Sequence, residues 1–221
     1  MGFTSRNNKQ DRLVAKLNRL WKDEQDHALV ANTIRALDTR YDLNRKIRKE
    51  PGVEEVIMQM FGRLANSFEK LSVIRNKKIL DIACGSNTSK APASFFIDTP
   101  FGKKTIERSN RGYIAQFEPW FCRILFELAA YPVGIDFGDL ESEAFVHYQV
   151  DLGIIGALDF LPDHSFDAVQ DSRLFGSPEF TAQFPNRADR LKIAQEIRQQ
   201  EQRLLKANGI VIHSDADALL R

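Results

Sequence analysis

The chain has 221 residues, 43% hydrophobic and 28% charged, enough to build one ordinary globular domain with an accessory segment. Its formal net charge of +1 supplies no global field toward nucleic acid or an anionic membrane, and no uncharged apolar run approaches bilayer-spanning length. Two cysteines, Cys84 and Cys122, give neither a disulfide framework nor a zinc set, so a reducing cytoplasm is the expected setting.

Residues 1–8 are polar, without the apolar h-region of a secretory signal, and Arg6 stands where a myristoylation signal needs a hydroxyl. From about Gln10 to Gln25, Leu13, Leu17, Leu20 and Trp21 fall on one helical face. Asp26 is expected to cap a second helix whose stripe is Leu29, Val30, Ile34 and Leu37. Glu50-Pro51-Gly52 breaks that pattern. A third helix follows, with Val56, Ile57, Met60, Phe61, Leu64, Phe68 and Leu71 on its apolar side. Segment 1–72 is therefore helical and amphipathic, expected to cover a sheet face or edge rather than to act as a substrate-selecting lid.

From Lys77 the texture changes to short apolar runs alternating with helical stretches, the pattern of a parallel α/β sheet. Strands are expected near 78–82, 132–136, 146–151, 166–170 and 209–213, and helices near 118–130 and 187–206. Pro119 suits a first helical turn, and Gly209 marks the last helix-to-strand turn. The run Ile79-Leu80-Asp81-Ile82-Ala83 drops into the turn Cys84-Gly85-Ser86-Asn87, and ligands in open α/β sheets bind just beyond such strand ends. Val133-Gly134-Ile135-Asp136 ends in a carboxylate able to accept from both hydroxyls of a ribose. A dinucleotide site shares that chemistry. It also needs G-x-G-x-x-G, with the acid about twenty residues on. Here the loop offers one Gly, and 55 positions separate Asp81 from Asp136, so an insertion is present at about 90–117.

Five motifs in order, KKILDIACGSN, PVGIDFG, HYQVDL, LPDHSFDAV and LLKANGIVIHSD, resemble a class I S-adenosylmethionine-dependent methyltransferase over roughly 77–215. The resemblance implies a Rossmann-like, doubly wound, mostly parallel sheet in a domain spanning 73–221, with a shortened C-terminus. It implies S-adenosyl-L-methionine as cofactor and cofactor contacts at Asp81, Ala83, Gly85, Asn87, Asp136, Phe137, Asp151, Leu152 and Gln170. Asp136 would take the ribose, Asp151 the adenine amino group, and Leu152 the ring face. Ala83 and Asn87 depart from the family's usual glycines.

Methyl transfer asks mainly for alignment, and for a base only where the acceptor must lose a proton. Asp171 and His213, near strand ends, are the candidate catalytic groups; His27, His147 and His164 show no metal-ligand spacing. Gln170-Asp171-Ser172-Arg173 replaces the Asn-Pro-Pro-Tyr of amino-methylating DNA enzymes. A small-molecule acceptor is therefore expected, with nucleic acid and membrane disfavoured. Two alternatives stay open. One is a catalytically degenerate binding or regulatory relative. The other is a macromolecular methyltransferase, using Lys103, Lys104, Arg108 and Arg111 among Phe101 and Tyr113. The Phe-rich insertion is expected to be an acceptor-selecting lid. The edge near 209–213, with little chain after it, is expected to be shielded by a homodimer contact or a further segment.

Overall fold

A computed structural model of the protein describes residues 4–86, 94–99, 102–107, 115–172, 174–175 and 177–220. Four helices come first: α1 (Thr4–Leu17), α2 (Glu24–Tyr41), α3 (Leu43–Lys49) and α4 (Gly52–Ser67). Asp23, not Asp26, caps α2, its carboxylate accepting from the Gln25 amide at 2.9 Å. Asp26 lies within the first turn of α2, 2% exposed, and accepts from the Leu71 amide instead. The sequence offers two carboxylates there, and a tertiary bond decides between them. Helix α3 was not expected. Asp42 at φ 55° ends α2 and starts α3 at an angle, while Asp38 accepts from both the backbone and side-chain amides of Asn44.

The remaining elements are β1 (Lys78–Ile82), β2 (Ser94–Thr99), β3 (Gly102–Glu107), α5 (Trp120–Glu127), β4 (Tyr131–Asp136), β5 (Val146–Gln149), β6 (Phe166–Asp171), α6 (Pro178–Gln183), α7 (Arg187–Leu204), β7 (Leu205–His213) and α8 (Asp215–Leu220). Five strands form one all-parallel sheet in the order β5-β4-β1-β6-β7. The fold is α/β and compatible with a Rossmann-like arrangement. Strands β2 and β3 pair antiparallel as a separate hairpin inside the insertion, an element the sequence reading did not resolve. Asn87, Phe101, Arg108, Arg111, Tyr113 and Arg173 lie outside the described residues.

Side chains alternate across the sheet and both faces are covered, which is why the strands read as nearly unbroken apolar runs. Ile79 and Ala168 face a core shared with α1–α5, including Ile57, Phe61 and Trp120. Leu80, Ile82, Ile135 and Val169 face a second core under α7, with Ile193 and Ile197. The N-terminal helices thus cover a sheet face. Fully burying each such side chain stabilises the fold by about 1.5–3 kcal/mol. β7 starts four residues earlier than expected and is irregular: Phe166 pairs with Leu205 and Ala168 with Ile210, so the turn around Gly209 is absorbed into the strand as a bulge. β5 and β7 are the two edges. Among the described residues no helix is long and apolar enough to cross a membrane.

Candidate functional site

The chain moves outward from β1 through β4 to β5, then crosses back to β6 and β7, so the winding reverses between β1 and β6. A crevice forms outside the carboxyl ends of the strands at such a reversal. A cavity of about 630 Å³ opens there, within the range of small-molecule and cofactor sites. The loops after β1, β4, β5 and β6 surround it, together with Val56 and Met60 of α4 and the return leg of the insertion, Gln116–Glu118.

The floor is the turn after β1. Ala83 adopts φ 57° and Gly85 φ 92°. A Cβ on Gly85 would lie 2.1 Å from the Phe117 carbonyl oxygen, so glycine is required by the chain's own approach. The Ser86 amide donates to that same carbonyl at 3.0 Å. Asp136 binds this turn to its own: one oxygen accepts from the Gly85 amide at 2.9 Å, the other from the Gly138 amide at 2.8 Å. Gly138 sits close too, since a Cβ there would fall 2.1 Å from the Ser86 hydroxyl oxygen. The next strand end repeats the device, Asp151 accepting from the Gly153 amide at 2.9 Å. The two tripeptides, Asp136-Phe137-Gly138 and Asp151-Leu152-Gly153, share an Asp-apolar-Gly pattern that ends neighbouring parallel strands with the same Asx turn. That repeat was visible in the sequence and was not used.

Six of the expected cofactor residues, Ala83, Gly85, Asp136, Phe137, Asp151 and Leu152, come together on the cavity wall. Asp81 and Gln170 are not among its lining residues. They lie fully buried, the Gln170 amide donating to Asp81 at 3.0 Å and the Cys122 thiol to its other oxygen at 3.6 Å. Burial pushes the Asp81 carboxyl up to about 7, against the opposing effects of Gln170 and Arg63. Asp171 is also fully buried and outside the cavity lining. Its carboxylate accepts from the Asp215 and Ala216 amides at the start of α8, and burial outweighs those bonds to raise it to about 7. His213 pairs through Nε2 with the Asp215 carboxylate at 2.7 Å. Asp215, which the sequence reading passed over, is the carboxylate of this end that lines the cavity.

Glu118 reaches the wall from a buried ionic cluster. Lys46 of α3 and Arg123 of α5 both donate to it, and Arg123 also donates to Glu143, Nη2 at 2.6 Å. The Arg123 guanidinium lies 4.0 Å from the Tyr41 ring centroid and 4.7 Å from that of Trp120. Desolvation alone would lower its pKa, but the bonds to Glu143 and the charge of Glu118 raise it. Burial lowers Lys46 and pushes Tyr41 up to about 12. This cluster fastens the N-terminal helices to the cavity.

Four carboxylates, Glu118, Asp136, Asp151 and Asp215, stand on the wall, and no Lys, Arg or His does among the described residues. Glu118 is compensated by Lys46 and Arg123, so the negative charge of the wall rests on Asp136, Asp151 and Asp215. Such a wall favours a cationic or neutral ligand over a phosphorylated one. Among the described residues no group of His, Cys, Asp and Glu is arranged to hold a metal ion. No family model, curated protein or solved structure matches this chain.

Proposed function

We propose that the protein is an S-adenosylmethionine-dependent methyltransferase acting on a small-molecule acceptor. The observation that carries this reading is the acidic cavity at the carboxyl ends of β1, β4 and β5. S-adenosylmethionine bears a sulfonium, an ammonium and one carboxylate, net +1, which suits a wall that has no basic side chain among the described residues better than a pyrophosphate does. Asp136 would hold the ribose. Each of its oxygens accepts one amide bond and keeps a second lone pair for a hydroxyl. Leu152 would lie against the adenine, with Asp151 near its amino group. The turn 83–86 would position the amino-acid part, and the cap residues Val56 and Met60 would help exclude water. Bound there, the cofactor supplies an electrophilic methyl group, and the protein's contribution is alignment. The insertion, whose return leg lines the cavity, would select the acceptor.

One observation favours a second reading, a binding protein with the same fold. The face of Gly85 that could approach a ligand is filled by the Phe117 carbonyl, and Ala83 holds a left-handed conformation without being glycine. Calorimetric titration with S-adenosylmethionine and S-adenosylhomocysteine tests the proposal. Both are expected to bind, and Asp136→Ala to weaken binding by about 1.5–3 kcal/mol in a folded variant, the range for hydrogen bonds to a charged group. NAD is expected not to compete. Absence of binding by either compound, or competition by NAD, would reject the cofactor assignment. Binding without turnover over a broad acceptor panel would favour the second reading.

A further inference from the structure

A parallel sheet is normally covered on both faces. Here the N-terminal helices and α5 cover one face, and on the other α7 packs on β6 and β7. The connections 137–145 and 150–165, which would ordinarily bring a helix over β4 and β5, hold turns and no helix. Apolar surface is left exposed there. Val146 and Tyr148 pair in register with Val133 and Ile135, whose side chains face the α7 core, so all four lie on that face. Val146 and Tyr148 line a groove of about 460 Å³ with Tyr131 and Phe160, these four side chains being between 40% and 62% exposed. Tyr148 and Phe160 meet edge to face, with ring centroids 5.0 Å apart. Among the described residues the groove's one charged side chain is Lys78, whose ammonium lies over the Phe166 ring.

The same strand is an edge of the sheet. The Val150 amide donates to the Asp136 carbonyl oxygen, so by strand alternation the backbone groups of His147 and Gln149 point away from β4, where the sheet supplies no partner. Natural edges are guarded by charged residues, proline or bulges. Segment 144–150 has no Lys, Arg, Asp, Glu or Pro, and its pairing is regular. The opposite edge, β7, carries both Lys206 and a bulge. Two copies of β5 laid antiparallel, His147 against the partner's His147, would exchange the outward hydrogen bonds. That register sets Tyr148 opposite the partner's Val146 twice over, a favourable aromatic and β-branched pair. With Ile154 and Ile155, also exposed, the four groove side chains present roughly 500 Å² of apolar surface. This matches the non-polar share of a standard interface, somewhat over half of about 800 Å² per partner.

We propose that β5 is the seam of a twofold dimer of this chain, with antiparallel β5 strands joining the two sheets and the groove of each copy closing against the other. Lys78, Tyr131, Val146 and Phe166 each begin their strand, so the groove lies at the amino ends of the sheet, opposite the candidate cavity. The dimer is independent of the methyltransferase reading.

Sedimentation equilibrium of the full chain through the micromolar range is expected to give twice the 25.3 kDa chain mass. Hydrogen exchange gives a readout that needs no variant: the His147 and Gln149 amides should be protected in the dimer and exchange freely on dilution to monomer. Val146→Lys and Tyr148→Glu alter side chains exposed in the single chain, and each should weaken the dimer at least tenfold. An equimolar mixture of the two variants should associate at least tenfold more tightly than either alone, because the introduced ammonium then faces the introduced carboxylate across the seam. A wild-type chain that stays monomeric would overturn the proposal and leave the groove to a different partner. A dimer with unprotected His147 and Gln149 amides, one indifferent to both substitutions, or variants that gain nothing on mixing would each overturn it as well.

Discussion

Raising the pH from about 5 to 8 is expected to destabilise the fold, because three buried carboxyls keep their protons in the folded state after the unfolded chain has released them. Asp81 and Asp171 are raised to about 7 and Glu201 to about 8, in each case chiefly by burial. A carboxyl raised on folding contributes stability that is fully present below its unfolded value near 4 and is lost as pH climbs through the folded value. For Asp81 the gap from 3.8 to about 7 spans roughly three units, and at about 1.4 kcal/mol per unit its full loss is on the order of 4 kcal/mol. Asp171 raises Glu201 directly, so their contributions are coupled and do not add to Asp81 as independent amounts. Asp23 and Asp167, both lowered, have the opposite sign but act below the usual carboxylate range, outside this window. The measurement is the urea midpoint at pH 5, 6, 7 and 8 with the slope held in common. Stability should fall by several kcal/mol, a large part of the 5–15 kcal/mol typical of a domain. Asp81→Asn, which stays neutral, should flatten the profile and exceed wild type at pH 8. A wild-type profile that is flat or rises from pH 5 to 8 would refute the reasoning.

Gly85→Ala should cost about 2–5 kcal/mol. The left-handed conformation accounts for about 1–2 kcal/mol, and relief of the 2.1 Å approach to the Phe117 carbonyl for about 1–3 more. Urea unfolding measures it, and a loss under 1 kcal/mol would mean that the 115–117 segment is free to move away. Glu118→Gln should destabilise by about 3 kcal/mol, the lower end for breaking a buried pair, since Arg123 keeps Glu143 and the Lys46 side chain is 24% exposed. Adding Lys46→Met should recover part of that loss in the double variant, and strictly additive losses would show that the two charges are not coupled.

Periodicity and strand-end chemistry made much of this protein legible before any coordinates. Short apolar runs at 79–82, 132–136 and 166–169 read as strands buried on both faces, because each carries a single carboxylate and no alternating polar face. Asp136 and Asp151, each ending an expected strand, marked one end of the sheet as the polar one. Long-range contact decided the rest. Local sequence cannot tell a capping Asp23 from a buried Asp26, because the difference is a bond to Leu71, 45 positions away. It cannot show that Asp81 and Gln170 lie beneath the wall rather than on it, since that depends on how β1 and β6 pair. Nor can it show Val56 and Met60 on a cavity: their apolar stripe reads as core, and only the packing of α4 against β7 brings its margin to the opening. Asp215 belongs to the same class. Its neighbours in sequence are ordinary, and its place on the cavity wall follows from Asp171, 44 residues earlier, gripping the start of α8.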